Sequence, residues 1–96
     1  MIISYSEEYL KWFDRLKDKI ARATIIKRLA MIEDMNHLGD SKLVDKNIFE
    51  LRIHYGPGYR IYFTVRGKEV IILLCGGDKS TQETDIEKAK RIEKEV

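Results

Sequence analysis

An α+β fold is what this sequence predicts: an N-terminal helical hairpin packed on a small antiparallel sheet, with a C-terminal helix. Three observations predict it. Apolar residues recur at helical spacing through the first third of the chain, and from Ile48 the period changes to two. The apolar run Val70–Cys75 then ends in two glycines and gives way to a last helical stripe. The expected order is β-α-α-β-β-β-α in one domain spanning residues 1–96.

Taken in order, Ile2–Tyr5 reads as a short first strand. In "SEEYLKWFDRL", Ser6 is an N-cap with Glu7 and Glu8 in the favourable first turn, and Tyr9, Leu10, Phe13 and Leu16 fall at helical spacing. A second helix covers Asp18 to Met35, with Ile25, Leu29 and Ile32 as its stripe. "NHLGD" stops it, and Gly39 is the residue expected at positive φ. In "IFELRIHY", Phe49, Leu51, Ile53 and Tyr55 share one face and Glu50, Arg52 and His54 the other. "GPG" makes a hairpin turn, since Pro57 pre-sets φ and Gly58 accepts a positive one. "YRIYFTV" alternates again, with Arg60, Tyr62 and Thr64 opposite Tyr59, Ile61, Phe63 and Val65. "VIILLC" is apolar on both faces, as a doubly covered strand is. Thr84 and Glu87 read as a capping box for a last helix that docks through Ile86, Ala89, Ile92 and Val96.

Composition narrows the function classes. At 96 residues, 44% hydrophobic and 35% charged, the chain has room for one core without staples. The single cysteine, Cys75, excludes an intramolecular disulfide and reads as a small buried apolar residue. The longest apolar run is too short to span a bilayer, and no basic region followed by an apolar core opens the chain, so a cytoplasmic protein with no membrane association is expected. With 2 histidines, a metal site has little support, and no cofactor is expected. The net charge of +2 says little, but the distribution says more. Acidic residues gather near the ends. Lys42 to Lys79 holds Lys42, Lys46, Arg52, Arg60, Arg66, Lys68 and Lys79 against Asp45, Glu50, Glu69 and Asp78.

Alternation places Arg52, His54, Arg60 and Tyr62 on one face of a hairpin whose other face is apolar. If the helical hairpin covers the apolar side, these polar side chains line an open face, and Lys79, leaving the end of the next strand, reaches the same concavity. Guanidinium groups hold phosphate oxygens with paired hydrogen bonds and a tyrosine can stack on a base, so the set suits a polyanion. Glu50, on the same face, is placed to pair with Arg52 or Arg60. A solvated, inert sheet face would show the same alternation. The polar stretch "GGDKSTQ" supplies cation, carboxylate, hydroxyls and free backbone where a buried strand stops, as one wall of a phosphate site would, with Lys79 at its centre and Ser80 beside it.

"ELRIHYGPGYRIYF", followed at strand spacing by "IILLCGGDKSTQETDIEKA", resembles the RelE/ParE superfamily of type II toxins, and within it the HigB-like branch of addiction module killer proteins. "HLGDSK" before the sheet and the Trp12–Phe13 helix fit the same branch, so the resemblance covers nearly the whole chain. It implies a toxin silenced by a cognate antitoxin, commonly a helix-turn-helix protein encoded adjacently. Many relatives are ribosome-dependent endoribonucleases that cut mRNA without a metal, the ribose 2′-hydroxyl attacking the adjacent phosphorus. By position, the resemblance implies Arg60 as stabiliser of the transition state, Arg52 as substrate clamp and Lys79 near the leaving group, with Gly76 and Gly77 letting the backbone approach the substrate. Relatives of the RelE type place a tyrosine where this chain has Thr84 and Asp85, and some HigB relatives use a C-terminal histidine that is missing here. The general base therefore stays open among His54, Tyr62 and Asp78. So does the class of action. A ParE-like toxin poisons DNA gyrase by protein contacts and needs no acid and base, and a non-catalytic form would only bind its antitoxin and co-repress an operon.

Overall fold

The structure is a computed structural model that describes residues 1–96. Strand β1 (Ile2–Tyr5) leads into helices α1 (Glu7–Arg15) and α2 (Lys19–Met35). Strands β2 (Ser41–Asp45), β3 (Ile48–Ile53), β4 (Tyr59–Arg66) and β5 (Val70–Asp78) follow, then a 3-10 turn (Lys79–Thr81) and helix α3 (Gln82–Glu93). The α+β class is as expected, with one strand more and one pairing different. The sheet has five strands in the order β1-β5-β4-β3-β2; β1 is parallel to β5 and the remaining pairs are antiparallel, so the sheet is mixed.

Local chemistry explains the element boundaries. The Ser6 hydroxyl accepts from the Tyr9 N–H at 3.0 Å and donates to the Leu74 carbonyl at 2.6 Å, so one side chain both starts α1 and ties it to β5. Asp18 caps α2 by accepting from Ile20 and Ala21. That helix ends at Asn36, whose φ is 54°, while Gly39, at 71°, lies in the connection. There the missing Cβ leaves room for the Arg28 guanidinium, which donates to the carbonyls of Leu38 and Arg52. The cap expected at Thr84 and Glu87 does not form, because the chain is already helical from Gln82. Asp78 and Thr81 make a capping box one turn earlier, on the 3-10 turn.

Two cores lie on the two faces of the sheet. On one, Leu51, Ile53, Ile61, Phe63, Ile71 and Leu73 pack against Tyr9 of α1 and Ile25, Leu29 and Ile32 of α2, as the alternation predicts. On the other, Ile48, Tyr62, Leu74 and Cys75 pack under Ala89 of α3, with Ile86 and Ile92 alongside. Val96, expected in that stripe, is exposed. Burying each such large apolar side chain contributes roughly 1.5–3 kcal/mol. The polar face of the hairpin is therefore not open: α3 roofs it, and Glu50, Tyr62 and Thr64 are buried beneath. Burial also pushes the Cys75 thiol up to about 12, which makes it a packing residue. No helix is long and apolar enough to cross a membrane.

Candidate active site

Arg52 and Arg60 stand directly opposite each other on β3 and β4, and Arg60 stands opposite Gly77 of β5. Like charges in that register repel, and each arginine has its own carboxylate. Arg52 donates from Nε and Nη2 to Asp40 Oδ1 at 3.1 and 2.7 Å, and His54 Nε2 contacts Asp40 Oδ2. These partners, Arg52 foremost and then His54, hold the Asp40 carboxyl below the usual carboxylate range, and Asp40 in turn raises the Arg52 guanidinium.

Arg60 has a different setting. Its Nη1 donates to the Gly58 carbonyl at 2.6 Å, and its Nε lies 3.8 Å from Glu50 Oε2. Glu50 is wholly buried under α3, where Oε2 accepts from Gln82 Nε2 at 2.6 Å and from the Tyr62 hydroxyl at 3.3 Å. Glu50 Oε1 and Arg60 Nε have no hydrogen-bond partner. Of the two pairings open to Glu50 in the sequence, the fold selects Arg60. Burial, and then the Glu50 carboxylate, push the Tyr62 phenol far up. Tyr62 thus neither stacks on a base nor gives up a proton near neutral pH, which corrects its reading as a substrate-binding residue on an open face.

Lys79 reaches the same end of the sheet from β5. A Cβ on Gly58, whose φ is +79°, would lie 2.8 Å from Arg60 Nη1 and 3.8 Å from Lys79 Cβ, so the two cationic residues meet round this glycine. Lys79 is exposed and lacks an ion pair of the kind that holds Arg52 and Arg60. The Ser80 hydroxyl donates to Asp78 Oδ1 at 2.5 Å, and this bond above all lowers the Asp78 carboxyl. Gly76 and Gly77 serve packing. A side chain at Gly76 would overlap the Trp12 indole, and one at Gly77 would overlap the Asp85 carboxylate and the Thr81 hydroxyl. It is Trp12 and Asp85, then, that make the close approach expected of a substrate at these glycines.

The fold thus brings Arg60, Lys79 and, across the sheet, Arg52 to one end, with Gly77, Asp78 and Ser80 in the adjoining turn. It holds His54 beyond the end of β3 on Asp40, encloses Tyr62, and turns Gly76 towards α1. Asp40, Gln82 and Asp85 escaped sequence reasoning as members of this constellation. Each lies in a stretch that carries a signal: Asp40 in "HLGDSK", Gln82 in the polar "GGDKSTQ", and Asp85 where the resemblance would place a tyrosine.

Solved structures share this fold. The Escherichia coli RelE toxin, as a double arginine-to-alanine mutant in the free state, superposes with a TM-score of 0.72 at 22% identity, covering 95% of this chain and 96% of that one. RelE in the intact E. coli RelBE toxin–antitoxin complex superposes at 0.66 with 19% identity, over 80% of this chain and 94% of that one. The same mutant bound to an antitoxin RelB peptide gives 0.66 at 19% identity, over 90% of each chain. At the sequence level, an uncharacterized protein of Haemophilus influenzae is 45% identical over 85 residues, 88% of this chain and 85% of its own length. The RelE/ParE resemblance read in the motifs accordingly holds at the level of fold, while the HigB-like branch rests on the motifs alone. Residues 11–96 match the family described as phage-derived protein Gp49-like (DUF891), and the chain belongs to that family.

Proposed function

We propose that the chain is the toxin of a toxin–antitoxin pair and that it cuts ribosome-bound mRNA in the cytoplasm. One observation carries the reading: Arg60, nearly buried and pre-oriented, and Lys79, exposed and unpaired, converge round Gly58 at the end of the sheet. A fixed guanidinium in a partly desolvated site stabilises phosphoryl charge that develops in a transition state, because it needs no reorganisation as the charge forms, and the unpaired ammonium beside it is free to meet the substrate. The antitoxin partner is proposed from the RelE likeness, since RelE was solved with RelB; a helix-turn-helix protein encoded alongside is the expected form.

In this mechanism the ribose 2′-oxygen bonds to the adjacent phosphorus as the P–O5′ bond breaks, giving a 2′,3′-cyclic phosphate and a 5′-hydroxyl. No metal takes part. Arg60 faces the non-bridging oxygens, the Lys79 ammonium gives a proton to the departing 5′-oxygen, and Arg52, once released from Asp40, clamps a neighbouring phosphate. The Gly77–Ser80 turn forms the wall. The 2′-hydroxyl proton passes to the Asp78 carboxylate, which caps the turn that carries Lys79. His54 would act only after leaving Asp40.

A second reading has its own support. With Tyr62 buried and His54 tied to Asp40, the base is the poorest part of the site, and a ParE-like poison of DNA gyrase requires none. Induction of the chain in growing cells separates the two. Early arrest of translation, with new mRNA 5′-ends mapping to ribosomal positions, is expected. Continued translation with stalled replication would replace the endonuclease by the gyrase poison.

A further inference from the structure

A second concavity lies round the edge of the sheet from Arg60. β1 last pairs with β5 at Tyr5 and Leu73, and Ser6 then turns the chain into α1. From Leu74 to Asp78, β5 therefore runs on with no strand along its outer edge. α1 and α3 flank that edge from opposite faces and leave a groove of about 430 Å³, lined among others by Trp12, Arg15, Tyr59, Gly77, Asp78 and Lys88.

Its chemistry is sorted by position. The Trp12 and Tyr59 rings meet edge to face, with centroids 6.4 Å apart at 66°. Arg15, exposed, stands on the α1 wall. Lys88 stands on the α3 wall, its nearest acid being Glu8 at 3.9 Å, a contact too long to occupy the ammonium fully. The Asp78 carboxylate is held ionised with Oδ1 on Ser80, and the second lining carboxylate, Asp85, is buried and accepts from the Thr81 hydroxyl. Thr81 lines both this groove and the notch that holds Lys79 and Ser80, so the two concavities adjoin.

We propose that the groove binds a nucleotide of a single-stranded RNA. An aromatic corner offers a face for a base, the Asp78 carboxylate accepts from a base N–H, and two cations on opposite rims meet successive phosphates, as strand-tracking sites require. A peptide anchor fits poorly, because 3 of the 10 lining residues are hydrophobic and the Cβ-free faces of both glycines are already filled by Trp12 and Asp85. The proposal rests on the RNA reading of the neighbouring cations and extends it: the groove holds RNA flanking the cut and so contributes to the choice of cleavage position.

Trp12 is the only tryptophan and therefore a direct reporter. The intact chain is titrated with a short 2′-O-methyl oligoribonucleotide, which cannot be cut, while tryptophan fluorescence is followed at two salt concentrations. Saturable quenching that weakens with salt is expected, and Arg15→Ala with Lys88→Ala should weaken it at least about tenfold at unchanged thermal midpoint. RNA cleavage on ribosomes is measured beside it. Cleavage without quenching overturns the groove and leaves the endonuclease standing, whereas quenching without cleavage upholds the groove and removes the endonuclease. Wild-type affinity in the double variant overturns the groove as well. So does quenching by an acidic polypeptide and not by RNA, which would assign the surface to a protein partner.

Discussion

The two faces of the sheet are covered in different ways. Under the helical hairpin lies a dry core in which Phe49 and Phe63 stack at 5.3 Å and no charged side chain is buried. Under α3 lies a smaller core that encloses Glu50, Tyr62 and Thr64 beside Leu74 and Cys75. The first face needs only volume and shape, and these fix it. The second is completed by polar partnerships, and its edge is where the candidate site stands. Arg60 belongs to both, as an ion-pair partner to Glu50 inside and a cation held on the Gly58 turn beside Lys79 outside. A residue that serves a fold and a site at once is hard to test by simple truncation.

The largest effect expected is on the dry face. Phe63→Ala removes a ring that is 1% exposed, leaving a cavity and an unpaired Phe49. A loss of about 3–5 kcal/mol in denaturant unfolding is expected. A loss below about 1 kcal/mol would mean that this core collapses as readily as the polar one, and the contrast between the faces would fail.

Next comes the polar face. Arg60→Ala leaves the Glu50 carboxylate buried without its cation and should cost about 3 kcal/mol. Adding Glu50→Gln removes the stranded charge while keeping the contact with Gln82, so the double variant should regain much of that loss. Additive losses would show that the two residues are not a pair. This coupling also bears on activity. A dead Arg60→Ala protein is informative only beside the refolded double variant, which should be stable and still inactive.

Lys79→Ala separates site from fold. The side chain is exposed and outside both cores, so the thermal midpoint should barely move. Cleavage of mRNA on ribosomes should fall at least about tenfold, or ~1.4 kcal/mol of transition-state stabilisation. Cleavage at the wild-type rate would reduce the lysine to a solvated turn residue.

Much of this contrast is legible in the sequence. Period-two alternation assigned Leu51, Ile53, Ile61 and Phe63 to one core correctly, and the α3 stripe through Ile86, Ala89 and Ile92 is seen in contact. An open polar face is incompatible with another feature of the same chain. "VIILLC" is apolar on both sides, and a strand covered on both faces requires a cover that extends over its neighbour; α3 is that cover, and it encloses Tyr62. β2 was not legible, because Ser41–Asp45 is a short polar edge strand, bulged between Leu43 and Asp45, formed by backbone pairing to β3 rather than by its own side chains. The parallel partner of β1 and the pairing of Asp40 with Arg52 are long-range, and local pattern carries no information about them.

The smallest effect concerns the exposed counterpart of the Arg60–Glu50 pair. Asp40 bonds Arg52 and His54 at the surface, and its carboxyl is held below its ordinary value in the fold. A depressed folded-state value means that the unfolded chain takes up the proton first as pH falls. The stabilisation is therefore fully present above the unfolded carboxyl value of about 4, and it fades as pH drops through the lower folded value. Arg52 keeps its charge throughout, so the contribution persists to neutral pH. Thermal midpoints of wild type and Asp40→Asn should coincide in strong acid and separate above about pH 4, the wild type being the more stable, by less than Arg60→Ala loses because water and salt screen this pair. In addition Asp40→Asn releases Arg52 and His54 towards the polyanion, so the same variant should bind RNA more tightly as it becomes less stable. Midpoints that run parallel from acid to neutral would show that Asp40 does not hold these side chains. The Arg52 clamp would then stand free from the outset, and Asp40→Asn would leave RNA affinity unchanged.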